Sequence, residues 1–355
     1  MTPASFSTQF LTHAGRWFVH SGIQESSGGV ARYYRSDRAA NAPVSNEITG
    51  YAVSTLAYLH SLDPQPEYRD AAIRAARYLI NDAWDTASHT FPFEPGVPRA
   101  YFFDIGIIVR GLLAAWRLTG DEAFRARARE GALSLAFDFM GDGEFHPVIS
   151  LPDKQPLDRE PKWSRHPGCY QLKSALAWRE IGDEHAVRMF ESALAGALDT
   201  HDAFLPGGED REKVMDRLHA YCYFLEALLG EGDRAEVREA LSHGVARAAS
   251  LLREIAPDFE RSDVCAQLLR IRLIAHYRNI LTLDQNAACE EAARVAGYQS
   301  ESADARLDGG FWFGRRQGTV LPFMNPVSTA FCAQALALWH QHRASTWSFE
   351  LHQLI

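Results

Sequence analysis

Four side chains stand where they could move protons: Glu47, Asp104, Asp216 and His219. Glu47 lies in PVSNEITGY, and Asp104 directly follows AYFF. Asp216 opens the segment DRLHAYCYFLEALL, which also carries His219, and Asp263 begins a later apolar stretch. Paired carboxylates can divide the roles of general acid and of base or nucleophile in glycosidic cleavage, provided burial separates their pKa values. A histidine titrates near neutrality and can move a proton beside a carbonyl or carboxylate. Asp and Glu are also common helix caps, so each acid has a purely structural alternative. Glu47 is partly relieved of it, because Ser45 or Asn46 can do the capping, and Asp104 is expected to be semi-buried between Phe103 and Ile105.

Around these groups the sequence offers material for holding a polar ring. Tyr33, Tyr101, Trp163 and Trp312 have faces that could stack on the apolar side of a sugar, although each could equally serve core packing. His166, Arg217, Tyr221 and Arg315 could satisfy hydroxyls or an acidic substituent. Helical spacing puts His219 and Tyr223 on one face and Tyr221 on another. Glu226, an acid within an apolar run, reads as an internal ion-pair partner or a deeper acid.

These residues are far apart in the chain, so the elements that gather them matter. A junction recurs as LTGDEAF, EIGDEHA and GEGDRAE, around Gly120–Asp121, Gly182–Asp183 and Gly232–Asp233. Glycine accepts the left-handed geometry that ends a helix, and the following Asp caps the next. Each junction separates a nearly all-apolar helix from a more charged one, predicting an enclosed helix followed by an outer helix with one packed face. The pattern predicts inner helices over 47–60, 103–118, 167–180, 216–229, 263–276 and 326–341. Outer helices are predicted over 5–20, 67–82, 121–139, 183–198, 233–254 and 284–297. Six of each, with no polar capping repeat, favour closure into an all-α (α/α)6 toroid forming a single domain over 1–355.

The outer-to-inner loops are long and rich in Gly, Pro and aromatics, as in GGVARYYRSDRAANAPVSNE and DGGFWFGRRQGTVLPFMNP. Long loops in compact domains tend to carry function, and these would converge over the N-terminal ends of the inner helices.

Composition narrows the remaining classes. With 46% hydrophobic residues the 355-residue chain can bury a large core. Its formal charge of -9, with arginines interleaved among acids, argues against a nucleic-acid partner. No segment is long and apolar enough for a membrane span, and no secretory leader is evident. Five scattered cysteines suit a reducing compartment, so a cytoplasmic location is expected. Pairings such as His166 with Cys169, His219 with Cys222 and Asp263 with Cys265 lack a compact two-cysteine signature, so no metal is expected. No cofactor-binding glycine loop is present either, and no cofactor is expected.

Through its alternating helices and repeated GDE or GDR junctions, nearly the whole chain resembles the six-hairpin toroids of glycoside hydrolases, polysaccharide lyases and sugar epimerases. That resemblance implies a carbohydrate-active enzyme acting on an oligosaccharide or small sugar, with its site in the loops at one end of the ring. It strengthens the claims of Glu47, Asp104, His166 and His219. Hydrolysis leads, with uronate elimination or sugar epimerisation as the alternative. The GGF of DGGFWFG is similar to a feature of terpene cyclases and protein prenyltransferases, which gives an isoprenoid alternative. A non-catalytic glycan-binding or scaffold protein is the last reading.

Overall fold

The computed structural model describes residues 9–160, 162–205 and 210–355. The first residues of the predicted 5–20 helix, Pro161 in the third rim loop and residues 206–209 in the fourth lie outside the described residues.

Among the described residues, twelve α-helices alternate between two layers. The outer helices are α1 (Gln9–His20), α3 (Pro66–Tyr78), α5 (Glu122–Asp138), α7 (Glu184–Phe204), α9 (Ala235–Ile255) and α11 (Gln285–Ala296). The inner helices are α2 (Asn46–Leu62), α4 (Phe102–Thr119), α6 (Leu172–Ile181), α8 (Arg211–Leu228), α10 (Ser262–Tyr277) and α12 (Pro326–Ala344). Each inner helix packs on the next, and α12 returns to pack on α2, so the ring closes as an (α/α)6 toroid. Among the described residues no helix is long and apolar enough to cross a membrane.

Local chemistry accounts for the hairpin turns. Gly120 and Gly182 adopt φ 73 and end α4 and α6, while Asp121 and Asp183 accept hydrogen bonds from the amides of Ala123 and Ala186. The third expected junction differs. Arg234 stands at the start of α9 with no side-chain cap, and Gly232 has no positive φ. A Cβ at Gly232 would sit 2.4 Å from the Ile280 side chain, so glycine there serves close packing and not a helix stop. Two predicted helices are also shorter. Residues 79–83 form a π turn after α3, and Cys169–Gln171 form a 3-10 turn before α6.

Short antiparallel strands tie the rim loops together. Tyr34–Arg35 pairs with Ala40–Asn41 and with Phe323–Met324, in register Tyr34 to Met324, joining the first loop to the last. Arg99–Tyr101 pairs with Val148–Ser150, and Phe259–Arg261 pairs with Gly314–Arg316. The rim is therefore a stitched collar, which restrains the side chains it carries.

Candidate active site

Glu47 and Asp104 occupy the first turns of the adjacent inner helices α2 and α4. Ser45 caps α2 through the Ile48 amide, leaving the Glu47 carboxylate free of that duty. No side chain caps α4, so Asp104 does not serve as a cap either. Glu47 lies deep among protein atoms yet keeps part of its surface exposed, and burial pushes its carboxyl up to about 7 against the pull of Arg32. Asp104 is buried, and its Oδ2 has no hydrogen-bond partner. Burial first, and then the charge of Glu47, hold its carboxyl well above the usual range. Arg32, ion-paired with Glu94 at 2.6 Å and set over the Phe93 ring, opposes both shifts.

Aromatic side chains connect this pair to His219. Tyr51, one turn below Glu47, meets the Tyr223 hydroxyl at 3.1 Å. Tyr223 lies 4.7 Å from the Phe103 ring and 4.6 Å, edge-on, from the His219 ring. The i,i+4 spacing of Glu47 to Tyr51 and of His219 to Tyr223 stacks each polar group above an aromatic floor. His219 is buried, its Nδ1 lies 2.8 Å from Gln267 Oε1, and burial together with Arg261 lowers its pKa to about 4. Arg261 forks onto both oxygens of Asp263 and also binds Asp216 at 2.8 Å. That pairing holds Asp263 below its ordinary range despite burial.

The remaining sequence candidates divide by location. Tyr101 packs at a tilt against Phe93, Tyr33 packs edge-on to Phe323, and Trp163 packs edge-on to Tyr170, whose ring neighbours Phe103. Trp312 is half-buried on the last rim loop, and its carbonyl accepts from Ser262. His166 ends a 3-10 turn beside Tyr170 and is half-buried. Asp216 is half-exposed and ion-paired with Arg261 at 2.8 Å. Arg217 reaches away to the Phe204 carbonyl and ring.

Besides Arg217, two further expected binding residues are not brought to the site. Tyr221 is turned roughly 200° from His219 about the helix axis, and its hydroxyl meets His201 on α7 in the outer layer. Arg315 lies over Tyr298 and donates to the Gly297 carbonyl, because strand alternation aims it outward on the Glu260 side. Glu226 proves to be an ion-pair partner, bonded to Lys173 and Arg270. Gln267, Arg261 and Arg32 are the participants that the sequence alone did not single out, and only their proximity in space marks them.

Among the described residues no three His, Cys, Asp or Glu side chains converge to hold a metal. Cys169, Cys222 and Cys265 are buried, and burial raises each thiol, as suits small core side chains. Grooves of about 330 Å³ beside Met140 and Gln171 and about 440 Å³ beside Leu59 and His340 do not include the acid pair. The site is thus defined by converging side chains at the collar.

No protein-family model matches the sequence, and no curated protein sequence matches it. Solved structures do. Cellobiose 2-epimerase from Spirochaeta thermophila superposes with TM-score 0.72 at 14% identity, covering 93% of this chain and 94% of that one. A D-mannose isomerase gives TM-score 0.69 at 10% identity over 97% and 100% of the two chains. An unsaturated glucuronyl hydrolase specific for heparin gives 0.67 at 11% over 95% and 97%. The chain therefore has the (α/α)6 toroid fold that these enzymes share.

Proposed function

We propose that this protein is a carbohydrate-active enzyme that hydrolyses a glycosidic bond, with Asp104 as general acid and Glu47 as base or nucleophile. One observation carries the assignment: Glu47 and Asp104 stand in the first turns of adjacent inner helices, neither serving as a helix cap, with burial raising both carboxyls and the charge of Glu47 adding to the rise at Asp104. A protonated Asp104 donates its proton to the departing glycosidic oxygen as the bond to the anomeric carbon breaks. An ionised Glu47 takes a proton from the incoming water, or bonds to that carbon before water displaces it. Tyr101 and Trp163 supply aromatic faces near the acids, and Tyr33 and Trp312 lie further round the collar. The shared fold with sugar-acting proteins supports the same substrate class. Five free thiols suit a cytoplasmic setting.

The test is incubation with defined neutral and uronic oligosaccharides. A new reducing end without an unsaturated product is expected, and its loss in Asp104→Asn and Glu47→Gln. Neither variant changing turnover would remove the proposal.

A second reading, epimerisation or isomerisation, is favoured by the neutral state of His219, which suits proton abstraction beside a carbonyl. Under that reading the sugar changes stereochemistry or carbonyl position without cleavage, and His219→Asn stops the change.

A further inference from the structure

His219 and Gln267 form a reciprocal contact between α8 and α10. The imidazole Nδ1 lies 2.8 Å from Gln267 Oε1, and Gln267 Nε2 donates to the main-chain carbonyl of His219 at 3.4 Å. A carbonyl oxygen only accepts, so the amide nitrogen of Gln267 must face it and the amide oxygen must face the ring. An amide oxygen also only accepts, so the proton between the ring and the amide belongs to Nδ1. Asp263 Oδ2, 3.8 Å from the same nitrogen, adds negative charge on that side. The other ring nitrogen has no partner among the described residues and is not sealed from solvent.

We infer that Gln267 locks His219 as the Nδ1–H tautomer, so that Nε2 is an acceptor-only atom offered to a donating hydroxyl of the substrate. This rests on the reading that the collar site takes a saccharide, and it narrows the class: the unit at this position is neutral and polyhydroxylated. A carboxylate there would set lone pairs against a lone pair. The surroundings keep the ring uncharged, with burial and Arg261 outweighing Asp263, the Gln267 hydrogen bond and Glu226, so the acceptor persists through neutral pH. Gln267 is buried and held by two elements, so its amide is in place before any ligand arrives. It is a positioning residue, acting through His219.

Long-range proton–nitrogen NMR on the full-length, nitrogen-15-histidine-labelled protein tests this directly, with His219→Asn identifying the resonance. The expected spectrum has a protonated Nδ1 and an unprotonated Nε2 at neutral pH. Gln267→Leu is expected to move the proton to Nε2 and, by turning the acceptor into a donor, to lower kcat/KM by about 10-fold. Gln267→Glu, which keeps an acceptor facing Nδ1 but loses the donor to the His219 carbonyl, is expected to retain the Nδ1 proton and to raise the ring's pKa without restoring turnover in full. A wild-type spectrum with the proton on Nε2, or an unchanged tautomer in Gln267→Leu, overturns the inference. The spectrum needs no substrate, so it stands or falls apart from the acid-pair assignment, which Glu47→Gln and Asp104→Asn test by turnover.

Discussion

Gly50 of α2 and Gly111 of α4 bring the two helices into backbone contact: a Cβ at Gly111 would lie 2.5 Å from the Gly50 carbonyl oxygen. A Cβ at Gly50 would equally meet the Ile108 Cα at 2.9 Å. Neither neighbour is a flexible side chain that could swing away. These contacts set the spacing of the helices whose first turns carry Glu47 and Asp104. Gly111→Ala is therefore expected to push α2 from α4 and widen the acid pair. Steady-state kinetics should show kcat reduced by about 100-fold, the scale of a displacement near 1 Å at a reacting geometry. Retained turnover with intact folding would show that this spacing does not govern the site.

The acid pair makes a second prediction, on pH. If Glu47 must be ionised to act, kcat/KM rises through about 7, its folded pKa, and Glu47→Gln abolishes that limb. Stability should move the other way. A carboxyl whose pKa is raised on folding from 4.5 to about 7 contributes stability that is complete below 4.5 and lost as pH rises through about 7. Asp104, also raised, acts with the same sign. Asp104→Asn removes the cost of ionising a buried acid, so its melting temperature should exceed the wild-type value at pH 8 and converge on it at pH 4. A wild-type stability that climbs from pH 5 to 8 with no benefit from Asp104→Asn would contradict this.

Arg261 provides a third. It holds Asp263, binds Asp216 and lowers the pKa of the His219 ring. In Arg261→Met the His219 pKa should rise from about 4 by at least about one unit toward its ordinary range, measured by NMR titration. For His219 in the wild type, a depressed folded pKa means stability present above 6.5 and lost as pH falls through about 4. That acid-side loss should shrink in the variant at each pH between the two values. Because Asp263 is left buried without its cation, overall stability at pH 7 should fall by about 3 kcal/mol.

How far the sequence disclosed this arrangement depends on the range of the interactions concerned. The helices were legible because Gly120 with Asp121, and Gly182 with Asp183, act locally on their own backbones. Closure followed from the count of alternating helices, and the rim positions of Glu47, Asp104 and His219 followed from closure. Gly232 misled because a glycine packing beneath Ile280 is written with the same letter as a glycine that ends a helix. Tyr221 and Arg315 were assigned to the site by proximity along the chain, while helix rotation and strand alternation turned them outward. Gln267 and Arg261 act only through residues on other helices or loops, so no local pattern announces them. Gly50 and Gly111 are likewise meaningful only as a pair across α2 and α4.

The far side of the aromatic floor makes the last prediction. Glu226 binds Lys173 at 2.9 Å and also pairs with Arg270, and all three side chains are buried. Lys173 and Arg270 both donate to the Ile355 main-chain oxygen, and Gln334 accepts from Arg270 and from the Ile355 amide, so Ile355 is bound into the same network. Arg270 also sits 4.0 Å from the Phe331 ring, which contacts Tyr51 and Tyr223. Glu226→Gln would leave Arg270 and Lys173 with only the Ile355 oxygen, Gln334 and a neutral amide as partners, and the Lys173 ammonium, already lowered to about 7 by burial, would fall further without the acid that holds it up. The loss should be about 3 to 5 kcal/mol in denaturant unfolding. Adding Lys173→Met should recover part of that loss, because a buried amine without its acid is then gone. Near-equal stability of wild type and Glu226→Gln would mean that water or relaxation compensates the cations. A stability loss accompanied by unchanged kcat at permissive temperature would show that the network supports the ring without tuning the floor. The contact of Arg270 with Phe331 instead leads us to expect kcat to fall along with stability.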